Sequence, residues 1–151
     1  GLSGEWGHNS LPYYGNLDDE DINLSEGAFV KNINIEKFIS GKGLEDLYFE
    51  KKNKRKSTKE IFSDMLNNEK FISNFYNRLS RSLSILVNTI DPDVIVFGGG
   101  VSNEIKDLNL IKKMTANFSG NLNIKTSFIK PKYGDASGVR GAAILGRQNS
   151  I

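Results

Sequence analysis

The chain has 151 residues, 38% of them hydrophobic and 25% charged, which is the composition of an ordinary globular protein long enough to bury one core. Its 20 basic and 18 acidic residues leave a formal charge of +2, which argues against nucleic acid or a membrane surface as a partner. No apolar run reaches the ~20 residues that cross a bilayer, so we predict a cytoplasmic protein. Cysteine is absent, which excludes disulfides and thiolate metal sites.

The first 34 residues are rich in Gly, Asn, Asp and Ser and show neither helical nor strand periodicity, which predicts a region dominated by loops. Glu5 and His8 lie three positions apart in this region, and Glu36 follows it. A carboxylate can accept hydrogen bonds from two neighbouring hydroxyls, and imidazole can donate or accept, so these residue types suit a polyol ligand. A purely structural histidine is the alternative.

A first helix is predicted over residues 35–49, although Gly41 and Gly43 disfavour it. The basic run at 51–56 has no interleaved aromatic residues, so we interpret it as a solvated linker rather than a nucleic-acid patch. After this run, Ser57 or Thr58 is expected to cap a short helix.

Apolar residues recur at helical spacing between positions 71 and 90, which predicts a long amphipathic helix packed on a core. The stripe consists of Phe71, Phe75, Leu79, Leu83, Leu86 and Ile90. The intervening residues predicted to face solvent or a neighbouring element are Asn74, Arg78, Arg81 and Ser82. Pro92 should end this helix, because proline disfavours helical backbone at the residue before it.

The last third of the chain alternates strands and helices, which predicts an α/β fold. A buried strand is expected at 94–97, a helix at 103–118, a second strand at 124–129 and a closing helix at 137–146. Glycines follow the first strand at 98–100 and recur in a turn at 134–138. Because glycine lets a backbone approach a phosphorylated ligand closely, both turns are candidate sites, with a plain turn or a helix cap as the alternative.

Three blocks of sequence, in this order, resemble the ROK family of sugar kinases: GEWGHN at 4–9, DPDVIVFGGG at 91–100 and YGDASGVRGAA at 133–143. Trp6, the FISG block at 38–41 and the SGVR block at 137–140 are most similar to bacterial fructokinases or manno(fructo)kinases. The resemblance covers nearly the whole chain. It implies the C-terminal lobe of an actin-like, ribonuclease H-like ATPase fold, an α/β architecture that is incomplete without its N-terminal half.

The resemblance implies a cleft in which a hexose, with fructose preferred, meets ATP and Mg²⁺, and the sugar 6-hydroxyl attacks the γ-phosphate. Carried over by position, the sugar-binding residues are Glu5, His8 and Glu36, and the residues bordering the nucleotide are Gly98, Gly99 and Gly100. The implied division is a sugar-binding loop region at 1–35, a helical segment at 36–90 and a nucleotide-side α/β segment at 91–151.

The sequence departs from the family pattern in its metal ligands. Most members bind a structural zinc through the histidine of the GEWGHN block and three cysteines. Gly27, Phe29 and Asn34 stand where those thiolates would fall, so we predict no zinc and expect packing by Phe29 and Ile33 to hold the loop instead.

The family's phosphate-binding turn and catalytic aspartate belong before Gly1, so no catalytic residue is predicted in this chain. We expect a piece of a longer kinase that is inactive alone and that forms a homodimer, since an unpaired sheet edge favours association. Two alternatives are the sugar-sensing effector domain of a ROK transcriptional repressor and an inactive α/β fragment. Mannose, glucose and N-acetyl sugars stay open beside fructose.

Overall fold

A computed structural model describes residues 4–12 and 34–148. They form a mixed α/β structure, which confirms the predicted fold class at that level. The elements in chain order are a 3-10 turn at Trp6–His8, α1 (Ile35–Ile39), α2 (Gly41–Lys52), α3 (Thr58–Ser63), α4 (Met65–Ile90), β1 (Val94–Val96), α5 (Gly100–Glu104), α6 (Leu108–Phe118), β2 (Ser127–Ile129), a 3-10 turn at Gly134–Ala136 and α7 (Ser137–Gln148). Most of the predicted loop region, with Gly27, Phe29 and Ile33, lies outside the described residues.

The predicted helix over 35–49 is two helices, so that prediction is wrong. Ser40 has extended backbone, with φ −78° and ψ 158°, and its hydroxyl accepts a hydrogen bond from the Gly43 amide at 3.0 Å. This caps α2 and separates it from α1. A Cβ atom on Gly43 would lie 2.1 Å from the Lys37 carbonyl oxygen, so the two helices meet where glycine alone fits.

The basic run at 51–56 is partly helical, because its first two residues complete α2. Asn53 ends that helix in a left-handed conformation with φ 51°. The linker then leads to α3, which Ser57 caps in a reciprocal arrangement with the Glu60 side chain. The prediction of a cap at this point is therefore confirmed, whereas the linker is shorter than expected.

The apolar stripe of α4 forms the centre of the core and packs against α1, α3 and α6. Phe71, Phe75, Leu79 and Leu83 are buried, as predicted, whereas Ile90 is exposed at the end of the helix. The helix ends before Pro92 with Asp91 in a left-handed conformation.

The polar residues of α4 were expected to face solvent or a neighbouring element, and the structure shows the second. All four are buried: Asn74, Arg78, Arg81 and Ser82. The Arg78 guanidinium carbon lies 4.9 Å from the centre of the Phe38 ring, and Arg81 donates a hydrogen bond to the Pro12 carbonyl oxygen at 3.0 Å. Both the N-terminal segment and α1 therefore cover this face of α4.

The strands β1 and β2 are parallel, with Val94 opposite Ser127 and Val96 opposite Ile129. Burial of β1 was predicted, but Val94 and Val96 are exposed and Ile95 is half-buried. Helix α6 packs against β2 from one side, and within residues 4–12 and 34–148 the opposite face of the sheet is uncovered. Parallel sheets are usually covered on both faces, but this part of the chain covers only one.

The predicted helix over 103–118 is also divided, into α5 and α6. Asp107 accepts a hydrogen bond from the Leu110 amide at 2.9 Å and so begins α6 afresh. The closing helix is confirmed as α7 and is slightly longer than predicted. None of the described helices combines the length and apolarity needed to cross a membrane.

Candidate functional site

Main-chain hydrogen bonds hold the first turn of α1 against the N-terminal 3-10 turn. The Ile35 amide donates to the Asn9 carbonyl oxygen at 2.8 Å, and Ser10 and Asn34 form an antiparallel bridge. The Asn34 side chain accepts from the Lys37 amide at 3.0 Å and caps α1. Asn34, where the resemblance places a missing thiolate, is therefore a helix cap in this chain.

His8 and Glu36 meet because of this arrangement. The distance from His8 Nε2 to Glu36 Oε2 is 3.3 Å. The two backbones approach closely, since a Cβ atom on Gly7 would lie 3.8 Å from Glu36 Cβ. The side chains of the pair are still 61% and 57% exposed, so both can contact a ligand, and such an exposed pair contributes ~1 kcal/mol or less to stability.

The triglycine turn follows β1 at the carboxyl edge of the sheet. Gly99 has φ 80°, a conformation that favours glycine, and its carbonyl oxygen accepts hydrogen bonds from the Ser102 hydroxyl at 2.8 Å and the Ser102 amide at 3.1 Å. A Cβ atom on Gly98, Gly99 or Gly100 would meet no atom within 4 Å. Packing within the described chain therefore does not require glycine at 98 or 100, and the turn borders open space that a ligand can enter.

A single cleft of about 730 Å³ brings the two predicted groups together. Its lining includes Glu5, His8, Glu36, Gly98, Gly99 and Gly100. The two sides approach each other at Gly41 and Val101, since a Cβ atom on Gly41 would lie 3.5 Å from Val101 Cγ2. The second glycine turn, at 134–138, is not part of this lining.

Sequence reasoning missed several residues of the cleft as site residues, namely Ile39, Ser40, Gly41 and Val101. Three of them, Ile39, Ser40 and Gly41, lie at the break between α1 and α2. Gly41 and Gly43 indicated a break there, but we predicted one continuous helix. Within residues 4–12 and 34–148, no group of three or more His, Asp or Glu side chains lies close enough to hold a metal ion.

Comparison with known proteins places the chain in a family. Residues 1–149 match the family model described as the ROK family. The chain is similar to the N-acetyl-D-glucosamine kinases of Pasteurella multocida, at 31% identity over 152 residues, and of Mannheimia succiniciproducens, at 32% identity over 152 residues. Each alignment covers 96% of this chain and 50% of the relative, so the chain spans about half the length of the curated relatives it matches. As its sequence blocks predicted, the chain belongs to the ROK family.

Proposed function

We propose that the protein carrying this chain is an ATP-dependent hexose kinase, and that this chain supplies contacts to both substrates. One observation carries the proposal: two groups of residues, distant in sequence, line one cleft. The similarity to proteins named as sugar kinases over nearly the whole chain supports it.

On the sugar side, Glu5, His8 and Glu36 hydrogen-bond the hydroxyl groups of the hexose. Carboxylates accept from hydroxyls, and hydrogen bonds to a charged group are stronger than those between neutral groups. The 3.3 Å contact with Glu36 orients the His8 ring before the sugar arrives. These residues belong to the proposed sugar-binding region at 1–35 and to the start of the helical segment at 36–90.

On the nucleotide side, the segment at 91–151 presents the triglycine turn to ATP, which arrives with Mg²⁺ bound to its phosphates. The sugar 6-hydroxyl attacks the γ-phosphorus, the bond to the β,γ-bridging oxygen breaks, and ADP leaves. The work of these residues is positioning, which is the main contribution of proteins to phosphoryl transfer. The base that takes the hydroxyl proton is proposed to lie outside this chain, in a part of the protein that corresponds to the unmatched half of the relatives.

Fructose is the proposed hexose, because the residues of the FISG and SGVR blocks are most similar to fructokinases. N-acetyl-D-glucosamine is the second candidate, and the names of the matched relatives favour it. The two sugars differ in ring form and in the acetamido group, so a binding comparison separates them.

Calorimetric titration with each sugar, and then with ATP and Mg²⁺, tests the proposal in the chain and in the variant Glu36→Gln. We expect the substitution to weaken sugar binding about tenfold or more, because it replaces a charged acceptor, which also faces His8, with a neutral one. Glu50→Gln is the matched control, since Glu50 is an exposed carboxylate outside the cleft lining. Equal losses in both variants, or no sugar binding by the chain, would contradict the proposal.

A coupled assay of phosphate transfer by the whole protein separates the kinase from a sugar-sensing repressor. Turnover that falls in Glu36→Gln supports the kinase. Sugar binding with no transfer from ATP would favour the repressor.

A further inference from the structure

Trp6 stands on the sugar side of the cleft. It lies in the 3-10 turn between Glu5 and His8 and lines the cleft together with them. Its side chain is partly buried and packs against the hydrophobic core. The core contact restrains the indole ring, and the part of the residue left exposed borders the cleft.

Two aliphatic residues continue this apolar surface. Ile39, at the end of α1, and Val101, in α5, are also partly buried, pack against the core and line the same cleft. The cleft is therefore lined by two chemical types: carboxylate and imidazole groups from Glu5, His8 and Glu36, and apolar groups from Trp6, Ile39 and Val101.

A hexose ring has the same two chemical types on its own surface. Its hydroxyl groups require hydrogen-bonding partners, whereas the C–H groups of a ring face gain from removal from water. Aromatic side chains offer a large, rigid apolar surface at little cost in conformational entropy, which suits them to cover such a face.

We propose that Trp6 covers the C–H face of the bound hexose ring and that this contact makes the site selective for cyclic sugars over open-chain polyols. The inference rests on the proposed sugar-binding function and deepens it, because it adds the ring face to the features that are recognised. An alditol presents the same kinds of hydroxyl group without a rigid C–H face, so the hydrogen-bonding residues alone discriminate against it weakly.

Trp6 is the single tryptophan of the 151-residue chain, so its fluorescence reports on this position alone. Titration of the chain with fructose, N-acetyl-D-glucosamine and the alditol sorbitol, followed by emission and by acrylamide quenching, is the first measurement. We expect the favoured cyclic sugar to shift the emission and to reduce quenching, and sorbitol to do neither at the same concentration.

Calorimetry on Trp6→Ala and Trp6→Phe is the second measurement. Trp6→Ala should weaken binding of the cyclic sugar about tenfold or more and reduce the preference over sorbitol, whereas Trp6→Phe should stay within about threefold of the unchanged chain. Leu66→Ala is the control, because Leu66 is 96% exposed and lies outside the cleft lining.

The outcomes separate this inference from the proposed function. Cyclic sugar binding by calorimetry, with unchanged tryptophan fluorescence and undiminished affinity in Trp6→Ala, overturns the role of Trp6 and leaves the sugar site standing. No binding of either cyclic sugar to the unchanged chain overturns both. If circular dichroism shows that Trp6→Ala does not fold, the fluorescence titration of the unchanged chain decides.

Discussion

Gly41 and Gly43 lie two residues apart at the start of α2 but have different surroundings. A Cβ atom on Gly43 would meet the Lys37 carbonyl oxygen at 2.1 Å and the Glu36 carbonyl oxygen at 2.9 Å, both of which are backbone. At Gly41 the nearest atoms are the Thr58 hydroxyl oxygen at 3.4 Å and Val101 Cγ2 at 3.5 Å, which are ordinary contacts. Position 43 therefore requires glycine, whereas position 41 does not.

We predict that Gly43→Ala destabilises the protein by about 1–3 kcal/mol or more, because α1 and α2 must separate to admit the methyl group. The free energy of unfolding from urea denaturation measures this. Gly41→Ala is the matched control and should change that free energy by less than about 1 kcal/mol. Similar losses in the two variants would show that glycine flexibility, and not the close approach, matters here.

Two carboxyl groups, that of Glu60 in α3 and that of Asp64 directly after it, link stability to pH. Hydrogen bonds from the Ser57 side chain, and then its amide, hold the pKa of Glu60 below its ordinary 4.5. Hydrogen bonds from Asn67 and then Lys56 hold the pKa of Asp64 below its ordinary 3.8. A lowered folded-state pKa gives stability that is present above the unfolded-state value and is lost as pH falls through the folded-state value.

The double variant Glu60→Gln, Asp64→Asn should therefore be less stable than the unchanged chain at pH 7, with the difference shrinking below about pH 4.5, the ordinary pKa of Glu60. Urea midpoints measured between pH 7 and pH 3 test this. A difference that stays constant down to pH 3 would show that these carboxylates do not contribute through their ionisation.

At the scale of an element, α4 is kinked at Asn68, whose φ of −121° and ψ of 16° are not helical. The buried Asn68 side chain forms a hydrogen bond to each of two other helices. Tyr48 donates its hydroxyl hydrogen to Asn68 Oδ1 at 3.1 Å, and Asn68 Nδ2 donates to the Ile61 carbonyl oxygen at 2.9 Å. This side chain thus joins α2, α3 and α4.

We predict that Asn68→Ala lowers the free energy of unfolding by about 2–4 kcal/mol, because it leaves two buried polar groups without their partner. Tyr48→Phe removes one of the two hydrogen bonds and should cost about 1 kcal/mol. A urea-denaturation double-mutant cycle on Asn68 and Tyr48 gives their coupling. Additive effects would contradict a shared network.

At the scale of the whole molecule, apolar side chains remain exposed on the sheet and on α7. The exposed apolar residues of these elements are Val94, Val96, Ile129, Val139, Ile144 and Leu145. Because exposed apolar patches favour association, we predict that these residues form part of the contact in a homodimer.

We expect the chain to bind the dye ANS and to associate with rising concentration in analytical ultracentrifugation. Val96→Thr with Ile129→Thr should reduce both signals, since it makes the uncovered sheet face more polar. Leu122→Thr is the matched control, because Leu122 is 77% exposed in a loop outside the sheet and α7. Undiminished association in the sheet variant would show that this face is not the contact.

Local pattern was enough to predict the features that depend on neighbours in sequence. The helical spacing of Phe71, Phe75, Leu79 and Leu83 identified the core face of α4, and Pro92 identified its end. The three motif blocks identified the ROK family, since each is a continuous stretch of sequence. The sequence by itself thus determined the α/β class, the core stripe and the family, and it predicted six candidate site residues.

Only the tertiary structure decided how those parts meet. Burial of Arg78 and Arg81 depends on the segment at Pro12 and on Phe38, which lie far away in sequence. The break at Ser40 starts α2 beside Val101 of α5, and main-chain hydrogen bonds to α1 bring Glu36 to His8. Periodicity reports only on the local environment of a residue. A cleft is formed by segments that are distant in sequence, so the shape of this cleft and its apolar lining could be seen only in the folded structure.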